Sequence, residues 1–347
     1  MILSNKIKVM IVDDSALVRR VLSRELEKSP DIEIINMAPD PYVARDMIAK
    51  NKPDVMLLDI EMPRMDGITF LRKIMQNLPI PTIIVSSLAQ QGSQLALEAM
   101  RCGAVDVVTK PCEAYSIEEV IPLLVEKIKA ASLINVKKIQ IQASASSAAF
   151  AKITSFVATT NRILVIGSST GGTVALEKIL PTLPKNAPGT LIVQHIPAGF
   201  SRTFADRLDK ICDVKVKEAE NGDSVVTGQV LIAPGNYHMW LKRDGGRYEV
   251  KIGGGEPLHY QRPCVEHLFN SAAEQAGKSA VGVILTGMGA DGAEGLLNMK
   301  KAGARTIAQD EASSVVWGMP GSAVKLGAAE FVLPLDKVIP KAMELLR

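Results

Sequence analysis

Three hundred and forty-seven residues, 47% of them hydrophobic, suffice for about two domains with buried cores, which excludes extended disorder as the main state. Forty basic against 37 acidic side chains leave a formal charge of +3, without the basic footprint of a nucleic-acid binder or a polybasic membrane patch. Cys102, Cys112, Cys212 and Cys264 form no C-x-x-C pair, so neither a zinc site nor a disulfide framework is indicated, and with no leader-like segment or membrane-length apolar run a cytoplasmic chain is expected.

From Lys8 to about Lys127, short apolar runs (KVMIVDD, IEIINMA, VMLLDIEM, TIIVSSL, VDVVTKP) alternate with amphipathic stretches such as ALVRRVLSRELEKS. Five strands alternating with helices predict an α/β domain, a doubly wound (βα)5 parallel sheet over residues 1–127. Groups just past the carboxyl ends of such strands line a common crevice. Asp13 and Asp14 follow the first strand, Asp59 the third, Ser86 the fourth and Lys110 the fifth, and a strand order of 2-1-3-4-5 lets them converge. Three crowded carboxylates repel one another unless a hard divalent cation bridges them, and Mg²⁺ suits oxygen ligands. One carboxylate, with Asp59 the candidate, is then able to attack a phosphoryl donor while Lys110 and Ser86 neutralise the transferred oxygens.

The DD pair in IVDDSALVRR, the D-x-x-M-P-x-M-D-G string from Asp59 to Gly67, the S-S pair at Ser86 and the T-K-P at Lys110 together resemble the response-regulator receiver family over residues 6–127. The resemblance implies phosphorylation of Asp59 by a histidine kinase, with Asp13 and Asp14 holding Mg²⁺. Where receivers usually carry an aromatic, three residues before the lysine, this chain has Val107, which argues against an aromatic-switch relay there.

Residues 128–160 are rich in Ala, Ser and Thr, with four lysines and no acidic residue, and read as a linker with room for some helix or strand of its own. The net charge is −3 before it and +2 after it, a difference that favours docking of the halves only weakly. From Arg162, alternation resumes with RILVIGSS, GTLIVQH, VLIAPG and AVGVILTGMG, predicting a second α/β domain over 161–347 with a doubly wound, mostly parallel sheet.

The Gly-rich turn in ILVIGSSTGGTVALEKIL raises nucleotide binding first, but Thr173 stands where a Walker lysine belongs and no G-x-G-x-x-G can be drawn. G-x-S-x-G does fit, with Gly167, Ser169 and Gly171, a turn that lifts a serine hydroxyl to the head of a sheet. Of four histidines only His195 directly ends a strand, one β-α unit later, which makes it the candidate base. Asp291 follows a later strand as the candidate orienting acid, and Gly287, Gly289 and Gly292 leave nearby N–H groups open to an oxyanion. His238, after a Pro-Gly turn, is the alternative base; His259 and His267 read as packing or surface groups. Arg202 and Arg207 suit either a solvated face or an acidic substrate.

Ser169 and Thr170 in I-G-S-S-T-G-G, His195 in Q-H-I-P, Asp291 in L-T-G-M-G-A-D-G and P-G-N-Y-H-M at 234–239 closely resemble the chemotaxis protein-glutamate methylesterases, the CheB family, across almost the whole chain. Ser168 stands where that family often has alanine, and Ala290 where it often has asparagine. The resemblance implies a Ser169-His195-Asp291 triad, oxyanion support from Thr170 and the Met288 backbone N–H, and hydrolysis of glutamyl methyl esters on chemoreceptors without a metal, with glutamine deamidation as a further activity of some members. It also implies a chemotaxis-type histidine kinase as phosphodonor and a receiver that inhibits until Asp59 is phosphorylated. A monomer meets these needs. A DNA-binding output domain and an inactive phospho-dependent scaffold are the competing readings.

Overall fold

The computed structural model describes residues 6–87, 90–110, 116–134 and 162–347, and the chain divides into two compact units, Met1–Ser147 and Ala148–Arg347. Residues 135–160 of the expected linker, Pro111 of the T-K-P string and Cys112 lie outside the described residues.

In the first unit, β1 (Ile7–Val12), α1 (Ala16–Leu26), β2 (Ile32–Ala38), α2 (Pro41–Lys50), β3 (Val55–Leu58), α3 (Gly67–Asn77), β4 (Thr82–Ser86), α4 (Gln90–Arg101), β5 (Asp106–Thr109) and α5 (Ile117–Ser132) alternate without exception. The parallel sheet has the expected order β2-β1-β3-β4-β5. Its inner strands are continuous apolar runs because helices cover both faces. Helix starts are set locally: Ser15 accepts from Val18 N–H at 3.4 Å, Asp40 from Tyr42 N–H at 2.8 Å and Asp66 from Thr69 N–H at 2.8 Å. Helix α5 runs beyond Lys127 because its apolar face continues, with Ile128, Ala130 and Ala131 buried, and Lys127 itself is buried in an ion pair with Asp106 at 2.6 Å.

The second unit carries a seven-stranded parallel sheet, β14-β13-β12-β6-β7-β9-β8, and a separate antiparallel hairpin, β10 (His238–Asp244) with β11 (Arg247–Gly253). The sheet strands are β6 (Ile163–Ser168), β7 (Gly189–Gln194), β8 (Lys215–Glu218), β9 (Gln229–Ile232), β12 (Ala280–Ile284), β13 (Arg305–Gln309) and β14 (Phe331–Leu333). The helices are α6 (Gly172–Ile179), α7 (Phe200–Asp209), α8 (Val265–Gln275), α9 (Ala293–Lys301), α10 (Met319–Lys325) and α11 (Leu335–Leu345). Phe200, Phe204 and Phe269 anchor the core between sheet and helices. From β6 the chain winds first toward β7, β9 and β8, then returns to β12 on the opposite flank. The crevice at such a reversal opens at the carboxyl end of β6, between β7 and β12.

No described helix is long and apolar enough to cross a membrane. Cys102, Cys212 and Cys264 are not in disulfides.

Candidate active site and acidic pocket

Strand β6 delivers Ser169 to the crevice through a tight turn into α6. Gly171 takes φ +80° there, and a Cβ on it would lie 2.7 Å from the Val315 side chain, so conformation and space both require glycine. His195, the first residue past β7, places Nδ1 3.0 Å from Ser169 Oγ. Its other nitrogen, Nε2, lies 2.7 Å from Asp291 Oδ2. The carboxylate therefore accepts the Nε2 proton and leaves the Nδ1 lone pair facing the serine hydroxyl. All three residues are buried, at 4%, 5% and 2% exposure, so the chain of hydrogen bonds is shielded from water.

Asp291 is held by the start of α8. The backbone N–H groups of Val265 and Glu266 donate to Oδ2 and Oδ1 at 2.8 and 2.9 Å, and the Cys264 thiol donates to Oδ1 at 2.9 Å. Burial pushes the Asp291 carboxyl up, but the His195 hydrogen bond and charge, Cys264 and Val265 outweigh it and bring it down to about 2. Burial and the neighbouring carboxylate push the Cys264 thiol well above its ordinary value, so it acts as a neutral donor. Glu266 accepts from Gly292 N–H at 3.0 Å; burial and then the Asp291 charge raise its carboxyl to about 7. Neither Cys264 nor Glu266 carries a signal in the sequence, since both act on Asp291 from a different element.

The loop after β12 completes the crevice. Met288, half-buried, has a backbone N–H that donates to no group among the described residues, which leaves it open to an incoming oxygen. Gly318 packs so tightly beneath this loop that a Cβ would lie 2.7 Å from the Gly287 carbonyl and 3.1 Å from Met288 Cα. Thr286 ties the loop to the Ser169 turn: its carbonyl accepts from Ser169 N–H at 3.0 Å, and its hydroxyl donates to the Thr170 carbonyl at 2.9 Å. Thr170 itself is buried beside Ser169.

The remaining sequence-flagged residues have other surroundings. Ser168 is fully buried, and its hydroxyl is engaged in donating to Gln194 Oε1 at 2.7 Å. His238 donates from Nε2 to the Glu256 carbonyl at 3.1 Å and packs edge-on against His267, ring centroids 4.4 Å apart, beside Trp240. His259 lies in an exposed loop with φ +53°. Arg207 pairs with Glu177 at 2.5 Å, whereas Arg202 and Ala290 are exposed.

In the first unit, carboxylate oxygens of Asp13, Asp14 and Asp59 lie within 4.8 Å of one another. Arg19 donates to the carbonyls of Asp13 and Asp14 at 2.6 and 3.1 Å, fixing the loop after β1. Lys110 Nζ lies 2.8 Å from both Asp13 Oδ2 and Asp59 Oδ2. Burial, with Asp13 adding, pushes the Asp59 carboxyl up against the opposing pull of Lys110. Burial alone would lower Lys110, but Asp13 and Asp59 together hold it above its ordinary value. Ser86 Oγ is buried and without a partner among the described residues. Crowded carboxylates beside an unpartnered hydroxyl and one ammonium suit a cation and a transferred oxyanion. Val107 is buried in β5, an aliphatic side chain where an aromatic switch would need a ring.

Fold and sites define the class: an acidic receiver-type unit followed by an α/β unit with serine, histidine and aspartate at its topological switch point. Two family models match in that order, the response regulator receiver domain over residues 9–122 and CheB methylesterase over residues 164–342. The chain belongs to the CheB methylesterase family. It is 54% identical over 334 residues to a protein-glutamate methylesterase/protein-glutamine glutaminase of Syntrophus aciditrophicus, covering 96% of this chain and 97% of that one. A similarly named protein of Sulfurimonas denitrificans is 51% identical, covering 98% of each chain. The crystal structure of the Thermotoga maritima CheB methylesterase catalytic domain superposes with a TM-score of 0.53 at 42% identity, covering 54% of this chain and all of that one.

Proposed function

We propose that the protein hydrolyses glutamyl methyl esters on chemotaxis receptors, with Ser169 as nucleophile, His195 as base and Asp291 as orienting acid, and that phosphorylation of Asp59 controls the rate. The observation that carries this reading is the continuous path from Ser169 Oγ through both imidazole nitrogens to Asp291, 3.0 and 2.7 Å long at its two links. The names of the relatives supply the substrate class.

Ser169 Oγ attacks the ester carbonyl carbon while His195 Nδ1 takes its proton. The imidazolium that forms is stabilised by Asp291, and the Met288 N–H binds the oxyanion, with Thr170 supporting the turn. Collapse breaks the bond to methoxide, which leaves as methanol with the proton from Nδ1. Water then gives a proton to Nδ1 and attacks the acyl-serine carbonyl; the acyl–Oγ bond breaks, Nδ1 returns the proton to Ser169 Oγ, and glutamate is released as the free acid. With a glutamine side chain the same steps release ammonia, which makes deamidation a second outcome of one site.

The receiver would end with α5 and the catalytic unit begin at β6. Asp13, Asp14 and Asp59 would hold Mg²⁺; bound there, it would screen charge on the transferred phosphoryl oxygens. Lys110 and Ser86 would orient those oxygens, and a chemotaxis-type histidine kinase would be the physiological donor. The unphosphorylated receiver is proposed to restrain the esterase in cis.

Methanol release from methylated receptor membranes tests the reading. The full chain should be active, Ser169→Ala inactive, and acetyl phosphate with Mg²⁺ should accelerate wild type but not Asp59→Ala. Equal rates for wild type and Ser169→Ala would refute the nucleophile; no response to acetyl phosphate would refute the control.

A further inference from the structure

Ser169 and His195 are the first residues past the neighbouring strands β6 and β7, where each chain leaves the sheet for a turn. Their 3.0 Å separation therefore depends on what ties the two turns together beyond the last strand pair. Strand pairing contributes one tie, His195 N–H to the Ser168 carbonyl at 3.1 Å. A second tie is made by one side chain. Gln194, 2% exposed, donates from Nε2 to the carbonyl of Ser169 at 2.9 Å and to the carbonyl of His195 at 3.1 Å. Its Oε1 accepts from Ser168 Oγ at 2.7 Å.

These bonds satisfy the amide, and they also fix which way it faces. The two carbonyls can only accept, so the NH₂ group has to point at them and leaves Oε1 to the Ser168 hydroxyl, which donates to it, whereas a flipped amide would aim its oxygen at both carbonyls. Buried carbonyls facing an amide oxygen lose their partner and repel it, so the flip is strongly disfavoured.

We infer that Gln194 is a positioning residue for the reaction: its amide, oriented by the two carbonyls and anchored at Oε1 by the Ser168 hydroxyl, clamps the nucleophile turn to the base turn and sets the distance from Oγ to Nδ1. This rests on the hydrolase reading above. It also gives the serine at 168 a task.

The clamp acts on alignment, so its loss should lower kcat with little change in KM. A misplacement of about 1 Å costs on the order of a hundredfold. In the full-length protein, Gln194→Met keeps the volume and removes both donors. We expect kcat to fall ~30-fold with KM within about twofold, and the second-order rate of Ser169 labelling by a fluorophosphonate to fall in proportion. Ser168→Ala should lower the labelling rate about threefold alone, and not at all in the Gln194→Met background, because the hydroxyl acts only through the amide.

Labelling at the wild-type rate in folded Gln194→Met, or an equal Ser168→Ala effect in both backgrounds, would overturn the inference. Should Gln194→Met not fold, Ser168→Ala alone decides: an unchanged labelling rate would refute the clamp. Fluorophosphonate reports the nucleophile whatever the natural ester, so wild type that takes no label, or Ser169→Ala that does, would instead refute the hydrolase reading.

Discussion

Glu266 offers a test of the electrostatics behind Asp291. It sits in the first turn of α8, 9% exposed, with Oε2 accepting from Gly292 N–H at the head of α9. Burial first, then the Asp291 charge, raise its carboxyl from 4.5 to about 7. Between those values the folded protein keeps a proton that the unfolded chain has released. Stability therefore falls as pH rises from about 4.5 to about 7 and is level above that, as far as this group is concerned. At ~1.4 kcal/mol per pH unit, the penalty at pH 8 is on the order of 3 kcal/mol. Glu266→Gln keeps an acceptor for Gly292 and cannot ionise. It should match wild type near pH 4.5 and be more stable by on the order of 3 kcal/mol at pH 8. Both tryptophans, Trp240 and Trp317, lie in the second unit, so urea unfolding followed by tryptophan fluorescence reads that unit within the intact chain. A difference between the two proteins that is constant from pH 4.5 to 8 would refute the reasoning.

Three further outcomes follow from the same contacts. Asp291→Asn must turn an NH₂ toward either Val265 N–H or Glu266 N–H, so it should lose about 2–4 kcal/mol of stability and ~10⁴-fold in kcat, read by fluorescence-monitored unfolding and methanol release. It should also lack an acid slope: with its carboxyl at about 2 in the folded protein against 3.8 ordinarily, Asp291 contributes on the order of 2 kcal/mol that is present above pH 3.8 and lost as pH falls through 2. Gly318→Ala drives a methyl into the Gly287 carbonyl and Met288, so kcat should fall ~100-fold with KM nearly unchanged in steady-state assays of ester hydrolysis. Lys127→Met removes the buried cation 2.6 Å from Asp106, whose carboxylate keeps its bond from Val107 N–H, and should cost the first unit about 3 kcal/mol, measurable as faster amide hydrogen exchange in β4 and β5.

The elements most legible in the sequence are those whose burial is written into a short run. VMLL, TIIVS and ILVIGS are buried throughout and mostly apolar because helices cover both faces of their sheets, and no strand pairing had to be known to read them. Strands β8, β10 and β14 left weaker marks. KVKE at β8 is a charged edge strand, β14 spans only Phe331–Leu333, and HMWLKRD at β10 does not alternate, although its hairpin partner RYEVKIG at β11 alternates polar and apolar residues throughout. The Ala-rich stretch after Lys127, read as a linker with room for some helix, opens with the last turn of α5, whose Ile128, Ala130 and Ala131 are buried.

By itself the sequence determined that Ser169, His195 and the acidic group of Asp13, Asp14 and Asp59 would stand at or just past strand ends, where polar residues close apolar runs, and that Asp291 would follow a later strand, in the loop that separates it from the next helix. Only the tertiary structure decided which imidazole nitrogen meets the serine, that Cys264, Val265 and Glu266 hold Asp291, and that Gln194, Thr286 and Gly318 brace the turns. Periodicity records how each segment is buried against its surroundings. Hydrogen bonds between residues a hundred positions apart depend on strand order and on which loops cross, and no local pattern encodes either.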